Sequence, residues 1–405
     1  MEIKFIPGGI TAAPGFTASG VHCGIRKNKT KLDLALIMAD SDCAAAVVYT
    51  TNKVKAAPIW LTMEHLKDSR ARGIIANSGN ANACAPGGMD AAKKTVNAVA
   101  EEAGLSPSDF IVNSTGVIGQ PLPADIITAA VPDLVKNLSS NGDTAAEAIM
   151  TTDTFPKIAA VRFTLRGKQI TIGGIAKGSG MIHPNMATMF AFLTTDCNID
   201  PALLQGALGS SVNRTYNRIS VDGDTSTNDM TAILASGAAG NPIITEKGED
   251  FNTFLQALDA INLKLAKDIA RDGEGATRLI TCRVSGSGSL NDGVMLAKSV
   301  ISSSLVKAAM FGTDANWGRV LCAMGYSGAA FDPNNVDVAF SSSAGRIPVC
   351  RHSKGLPFDE NLAKNVLSQP EVVIEITLHD GSHEAEAYGC DLTYDYVKIN
   401  GDYRT

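Results

Sequence analysis

The stretch richest in reactive groups is Lys177-Gly178-Ser179-Gly180-Met181-Ile182-His183-Pro184-Asn185-Met186-Ala187-Thr188-Met189. It gathers an ammonium, two hydroxyls and an imidazole around two glycines. Gly178 and Gly180 permit unusual backbone angles and close approach of a ligand. Pro184 stiffens the turn ahead of the apolar run Met189–Leu193, which fixes how Ala187–Thr188 enters that run. Taken locally, the pattern is a glycine-rich hairpin leading to a core strand. A second candidate is Thr115-Gly116, which follows a strand-like run and offers a hydroxyl beside a backbone N–H. His183, a turn histidine beside Pro184, reads as structural rather than catalytic.

Other standard chemistries lack their spacing. Gly173–Gly180 contains a lysine but not the order GxxxxGK[ST], and Gly286-Ser287-Gly288 is followed at 291 by Asn, not the third glycine of a dinucleotide fingerprint. There is no HExxH, no GxSxG, and no ligand spacing among the six histidines. No metal site is expected. Asp222-Gly223-Asp224 places its glycine too early for a calcium loop. The Asp222–Asp229 run is read as turns that shape a site. The eight cysteines lie far apart with no CxxC, as expected of buried thiols in a reducing compartment.

The elements that must hold these residues alternate between helix and strand. Strand patterns cover 31–38, 44–50 and 73–76; helical spacing covers 58–68, 89–104, 121–138 and 143–150. Residues 158–165 and 169–175 flank Arg166-Gly167-Lys168 as a hairpin. Further on, 201–214, 249–270 and 293–309 read as helices and 278–285 as a strand. Residues 372–378 and 384–388 flank Asp380-Gly381 as another hairpin. Strands that come in hairpins favour an α+β layered sandwich of mixed or antiparallel sheets with helices outside.

The 405 residues suit two or three lobes, and 45% hydrophobic against 19% charged residues excludes disorder. A net charge of -6 argues against nucleic-acid or anionic-membrane partners. The start MEIKFIPGGITAAPG lacks the pattern of a signal peptide, and no run of 18 apolar residues occurs, so a cytoplasmic protein without a membrane span is expected.

Eight ordered segments resemble those of the ornithine acetyltransferase family, the bifunctional or monofunctional glutamate N-acetyltransferases of arginine biosynthesis. Besides the central segment they are 76–84 (ANSGNANAC), 113–119 (NSTGVIG), 150–157 (MTTDTFPK), 220–229 (SVDGDTSTND), 272–277 (DGEGAT), 312–319 (GTDANWGR) and the end from Asp391 to Thr405. The resemblance implies autocatalytic cleavage of Ala187–Thr188, giving an α chain of 1–187 and a β chain of 188–405 in a self-processing acetyltransferase/aminopeptidase-type fold. Chemically this is sensible. A threonine hydroxyl needs a base, and a freed α-amino group with a pKa of about 7.7–8.0 sits on the same residue.

The resemblance further implies Thr188 as nucleophile, Thr115 and Gly116 as oxyanion hole, and Thr151, Lys177, Thr188, Glu274, Asn400 and Thr405 as substrate-binding residues. Thr152, adjacent to Thr151, is the alternative at that position. The implied reaction moves acetyl from N2-acetylornithine to glutamate in ping-pong fashion, without a bound cofactor. Acetyl-CoA is a co-substrate of the bifunctional members only, a choice the motifs leave open. The implied assembly is an α2β2 heterotetramer. The alternative reading is an aminopeptidase or amidase of related fold.

Overall fold

The computed structural model describes residues 2–183 and 189–402. Nine strands make the first sheet: β1 (Lys4–Ile6), β2 (Phe16–Val21), β3 (Leu34–Tyr49), β4 (Arg70–Asn77), β5 (Phe110–Ser114), β6 (Lys157–Leu165), β7 (Lys168–Lys177), β8 (Phe190–Thr195) and, after β9 (Ile219–Ser220), β10 (Met230–Ala235). Their order is β1-β6-β7-β8-β10-β3-β4-β5, with β2 also on β3. The second sheet adds β11 (Leu279–Ser287), β12 (Asp337–Ser342), β13 (Gly345–Arg351), β14 (Lys354–Gly355), β15 (Glu371–Thr377) and β16 (His383–Cys390), ordered β14-β13-β12-β15-β11-β16-β9. Both are mixed: β4/β5, β8/β10, β11/β15 and β16/β9 run parallel, the other pairs antiparallel. The expected α+β layered architecture holds.

Local chemistry explains the elements. Arg166 and Gly167 both take left-handed φ (46° and 79°), the two-residue turn whose twist suits a hairpin, so β6 and β7 pair over their full length. Asp200 caps the helix Pro201–Arg214 by accepting from the N–H groups of Ala202 and Leu203. In the helix Glu249–Arg271, Phe254, Leu258, Ile261, Leu265 and Ile269 recur at helical spacing and are all buried. This stripe fills the main core, which takes residues from both sheets (Val161 and Ile172 of the first, Leu279 and Tyr388 of the second). Each such side chain contributes about 1.5–3 kcal/mol on burial, so this helix is the joint between the sheets. The helices Gly88–Ala103 and Ala124–Lys136 cover β3–β5, while Leu290–Ser302 and Ser304–Phe311 cover the second sheet.

Three expectations change. The runs 31–38 and 44–50 are one strand, β3, whose register against β4 shifts between Met38 and Cys43, where Asp40-Ser41-Asp42 stays exposed. The helix at 293–309 is two helices bent by 58°, because Ser303 is extended and its side chain caps the second one at Val306 N–H. The strands at 372–378 and 384–388 do not pair with each other: β11 lies between β15 and β16, parallel to one and antiparallel to the other. Among the described residues no single helix is long and apolar enough to cross a membrane, and the bent pair is packed on the second sheet.

The position of β8 bears on the division at 187/188. It pairs antiparallel with β7 on one side and parallel with β10 on the other, and β10 continues to β3. Residues before and after the division are therefore interleaved in one sheet. The two portions are not separate lobes.

Candidate active site

Because β4 and β5 run parallel, the turn Asn77–Asn80 and Thr115-Gly116 leave the sheet side by side. Thr115 N–H donates to Asn77 O (2.9 Å) and Ser114 Oγ to Asn77 Oδ1 (2.6 Å). Gly116 has φ +131°, and a Cβ there would lie 2.3 Å from the Gly79 carbonyl carbon; only glycine fits. Asn228 closes a third side, donating from Nδ2 to Ala81 O (2.6 Å) and Ser114 O (2.7 Å), while Asn113 Nδ2 donates to Asn228 O (3.0 Å).

Lys177 ends β7 with its side chain 4% exposed as a residue and its Nζ 3.4 Å from Thr115 Oγ1. Past it, Glu274 is 7% exposed, donates from its N–H to Ser179 O (3.1 Å), and accepts from Asn400 Nδ2 (2.6 Å). A Cβ on Gly180 would come within 2.4 Å of the Glu274 carboxylate, so that carboxylate rests on the glycine backbone. Asn400 belongs to the helix Tyr394–Gly401, capped by Thr393 Oγ1, which accepts from Tyr396 N–H. The chain end up to Asn400 is thus tied into the site.

Carboxylates brace these segments from behind. Asp153 accepts from Gly178 N–H (2.7 Å), Thr151 N–H (2.9 Å) and Lys157 Nζ (2.7 Å). Lys157 Nζ also donates to Asp272 (2.6 Å), which accepts from Thr154 as well. Asp222 accepts from the N–H groups of Met181 (2.6 Å) and Ile182 (2.8 Å), and Ser220 Oγ lies 3.0 Å from His183 Nδ1. On the far side Met230 N–H donates to Met189 O (3.1 Å). Both flanks of 184–188 are held by hydrogen bonds, one through the side chains of Asp222 and Ser220 and the other through the backbone of Met230.

Thr115, Gly116, Thr151, Lys177, Glu274 and Asn400 all line one cavity of about 120 Å³. Thr152 lines it too, so both threonines of that pair reach it. Ala187, Thr188 and Thr405 lie outside the described residues. A larger depression of about 660 Å³ beside β1 and β6 contains none of these side chains.

A family profile described as the ArgJ family matches residues 17–405. The arginine biosynthesis bifunctional protein ArgJ of Symbiobacterium thermophilum is 52% identical over the whole of both chains. The protein ArgJ 1 of Clostridium acetobutylicum is 50% identical over 98% of this chain and 97% of its own. The chain belongs to the ArgJ family. Among solved structures, the arginine biosynthesis bifunctional protein ArgJ from Bacillus halodurans aligns with a TM-score of 0.50 and 46% identity, covering 53% of this chain and 98% of that one.

Sequence reasoning gave the 222–229 run no role beyond shaping turns. In this ArgJ chain Ser226, Thr227 and Asn228 line the cavity themselves. Its signal was density: hydroxyl and amide residues crowd together before an all-buried strand. Asp229 is buried and faces Lys177 electrostatically. Burial pushes its carboxyl well above the usual range against the pull of Lys177. Burial likewise pushes Lys177 down, against Asp153, with Lys157 adding to the fall and Asp229 and Glu274 opposing it. Burial by itself would raise Asp153, but Lys157 and Lys177 together hold it near about 2. Burial, and then Lys298, pushes the His183 imidazole down to about 4.

Proposed function

We propose that this chain transfers acetyl from N2-acetylornithine to glutamate through an acetyl-threonine at Thr188, after cleaving its own Ala187–Thr188 bond. The observation that carries the reading is the convergence of six separately encoded residues on one small cavity beside the pinned flanks of 184–188. In the first half-reaction Thr188 Oγ attacks the acetyl carbonyl while its own α-amino group takes the hydroxyl proton. Thr115 Oγ1–H and Gly116 N–H stabilise the oxyanion, an effect worth about 10²–10³ in rate per donor. The C–N bond then breaks, the proton goes to the leaving amine, and ornithine departs. Glutamate's amine attacks the ester in the second half, returning the proton to Thr188 and releasing N-acetylglutamate.

Lys177 suits the substrate α-carboxylate, since an ammonium depressed by burial regains charge beside an arriving anion. Glu274, oriented by Asn400, suits the side-chain ammonium of ornithine. Thr151 and Thr405 complete the binding set. Acetyl-CoA serves as a second acetyl donor, in keeping with the word bifunctional in the relatives' names. Cleavage yields α (1–187) and β (188–405) chains that stay together, since β8 and β10 are held inside the α chain's sheet, and two of each form the assembly. A solved relative that aligns over 98% of itself yet spans 53% of this chain is in keeping with such a division.

Two measurements test this. Thr188→Ala should leave one full-length chain, and a new N-terminus at 188 in that variant would falsify the cleavage chemistry. Wild-type protein given N2-acetylornithine should release at most one ornithine per active site without glutamate, and should turn over to N-acetylglutamate and ornithine only when glutamate is supplied. Glutamate-independent release of acetate would instead identify a hydrolase.

A further inference from the structure

Away from the acetyl-transfer cavity, the second sheet gathers its own set of ligating side chains. Asp337 opens β12 and sits opposite Thr377, the last residue of β15; His379 follows two residues later. His352 occupies the turn between β13 and β14, where it and Ser353 both take left-handed φ (46° and 59°). One ligand atom from each of Asp337, His352 and His379 lies within 4.8 Å of the other two. His379 Nε2 is 3.7 Å from Asp337 Oδ2, and the two imidazole centroids are 5.8 Å apart.

The remaining polar atoms of two of these groups are already engaged. His352 Nδ1 is 2.7 Å from Asn335 Oδ1, which can only accept. A proton on Nδ1 satisfies that contact and leaves Nε2 as the ring nitrogen available to an ion. Asp337 Oδ1 accepts His352 N–H (2.8 Å), leaving Oδ2 on the His379 side. Metal-bound imidazoles characteristically donate their other N–H to an oxygen, and bound carboxylates are themselves hydrogen-bonded. A simple His379–Asp337 ion pair would use one ring and would not require the second ring or its contact with Asn335.

We propose that Asp337, His352 and His379 form a binding site for a divalent first-row transition ion of the zinc class. The donor set of two imidazole nitrogens and one carboxylate oxygen suits zinc, whereas calcium and magnesium prefer oxygen alone. All three residues are partly or fully exposed, so the ion has a path in and water completes its coordination. The ligands come from the start of β12, the β13–β14 turn and the segment after β15. A bound ion ties together the three segments that meet at that corner of the sheet. The proposal is independent of the acetyl-transfer reading.

The test uses the full protein with accessible thiols alkylated, because exposed Cys84 and Cys322 could otherwise take the metal. Calorimetric titration with zinc chloride should give one equivalent per chain copy, and zinc should raise the melting temperature. Cobalt(II) should show visible bands of a nitrogen/oxygen site. His352→Ala and His379→Ala should each weaken zinc binding at least tenfold. Asn335→Ala should weaken it about tenfold through the lost orientation of His352. Acetyl transfer should stay unchanged in all three, which also reports that they fold. Absence of zinc binding by the wild type, or undiminished binding by the His352→Ala/His379→Ala pair, overturns the proposal.

Discussion

The two sheets bury different things. Around the first, the buried set includes Asp153, Lys157, Lys177, Asp229, Asp272 and Glu274, all within or behind the cavity. Within the second, the core between β11–β16 and its helices is mainly apolar, and Lys307 is the one lysine buried there among the described residues. Burying charge costs several kcal/mol per ion unless partners compensate, so a chain built for stability alone would choose the second solution. The contrast marks where folding was compromised for chemistry. Two carboxylates hold backbone that leads into the cavity: the buried Asp153 holds Gly178 and Thr151, and the half-buried Asp222 holds Met181 and Ile182.

The largest expected effect tests whether the paired charges matter as a network. Lys157→Met removes the cation between Asp153 and Asp272 and should cost about 3–5 kcal/mol, because two buried carboxylates lose compensation. Lys307→Met, on a helix over the second sheet, leaves the Cys390 carbonyl, now 2.5 Å from Lys307 Nζ, and the weakly accepting Cys390 Sγ without their donor. That should cost about 1–3 kcal/mol. Equal losses in urea midpoints would erase the distinction.

Next in size is Thr115→Ala. An oxyanion donor acts in the transition state, so kcat should fall about 10²–10³-fold with little change in KM. A raised KM with intact kcat would make Thr115 a ground-state binding residue.

Acid offers a third, smaller probe. Asp153 is held near about 2 in the fold against a reference of 3.8. A depressed carboxyl stabilises above its unfolded pKa, and that stability is lost as pH falls from 3.8 towards 2. The whole contribution is about 2 kcal/mol. Asp153→Asn should therefore be less stable than wild type at neutral pH, with the gap closing below pH 4 in denaturant titrations. A constant gap would mean that the carboxylate's charge is irrelevant.

The smallest effect belongs to the dry core. Ile374→Val should cost about 0.5–1.5 kcal/mol and leave kcat/KM of the folded protein unaltered. Altered kinetics there would show that the second sheet is coupled to the site.

Much of this molecule is written in short-range pattern. The hairpin at Arg166-Gly167, the helices at 89–104 and 249–270, and the fold class follow from periodicity and turn chemistry, which act over a few residues. Thr115-Gly116 offers a hydroxyl beside a backbone N–H in the sequence itself, whereas Thr151, Lys177, Glu274 and Asn400 stand out only through the family resemblance; that all six line one cavity is a property of the fold. Which strand lies beside which was not. Residues 372–378 and 384–388 look like a hairpin, yet β11, from about ninety residues earlier, wedges between them. Strand pairing of that kind is decided by which faces the helices Glu249–Arg271 and Leu290–Ser302 can bury, not by local sequence. The same holds for Asp229, Asp153 and Asp272: composition shows acidic residues, but only the folded packing removes water from them and sets Lys177 and Lys157 against them. His352, His379 and Asp337 have no ligand spacing along the chain and meet only because three strand ends share one corner. Sequence settles what each residue can do; tertiary structure settles which groups share a low-dielectric space, where charge and geometry become chemistry.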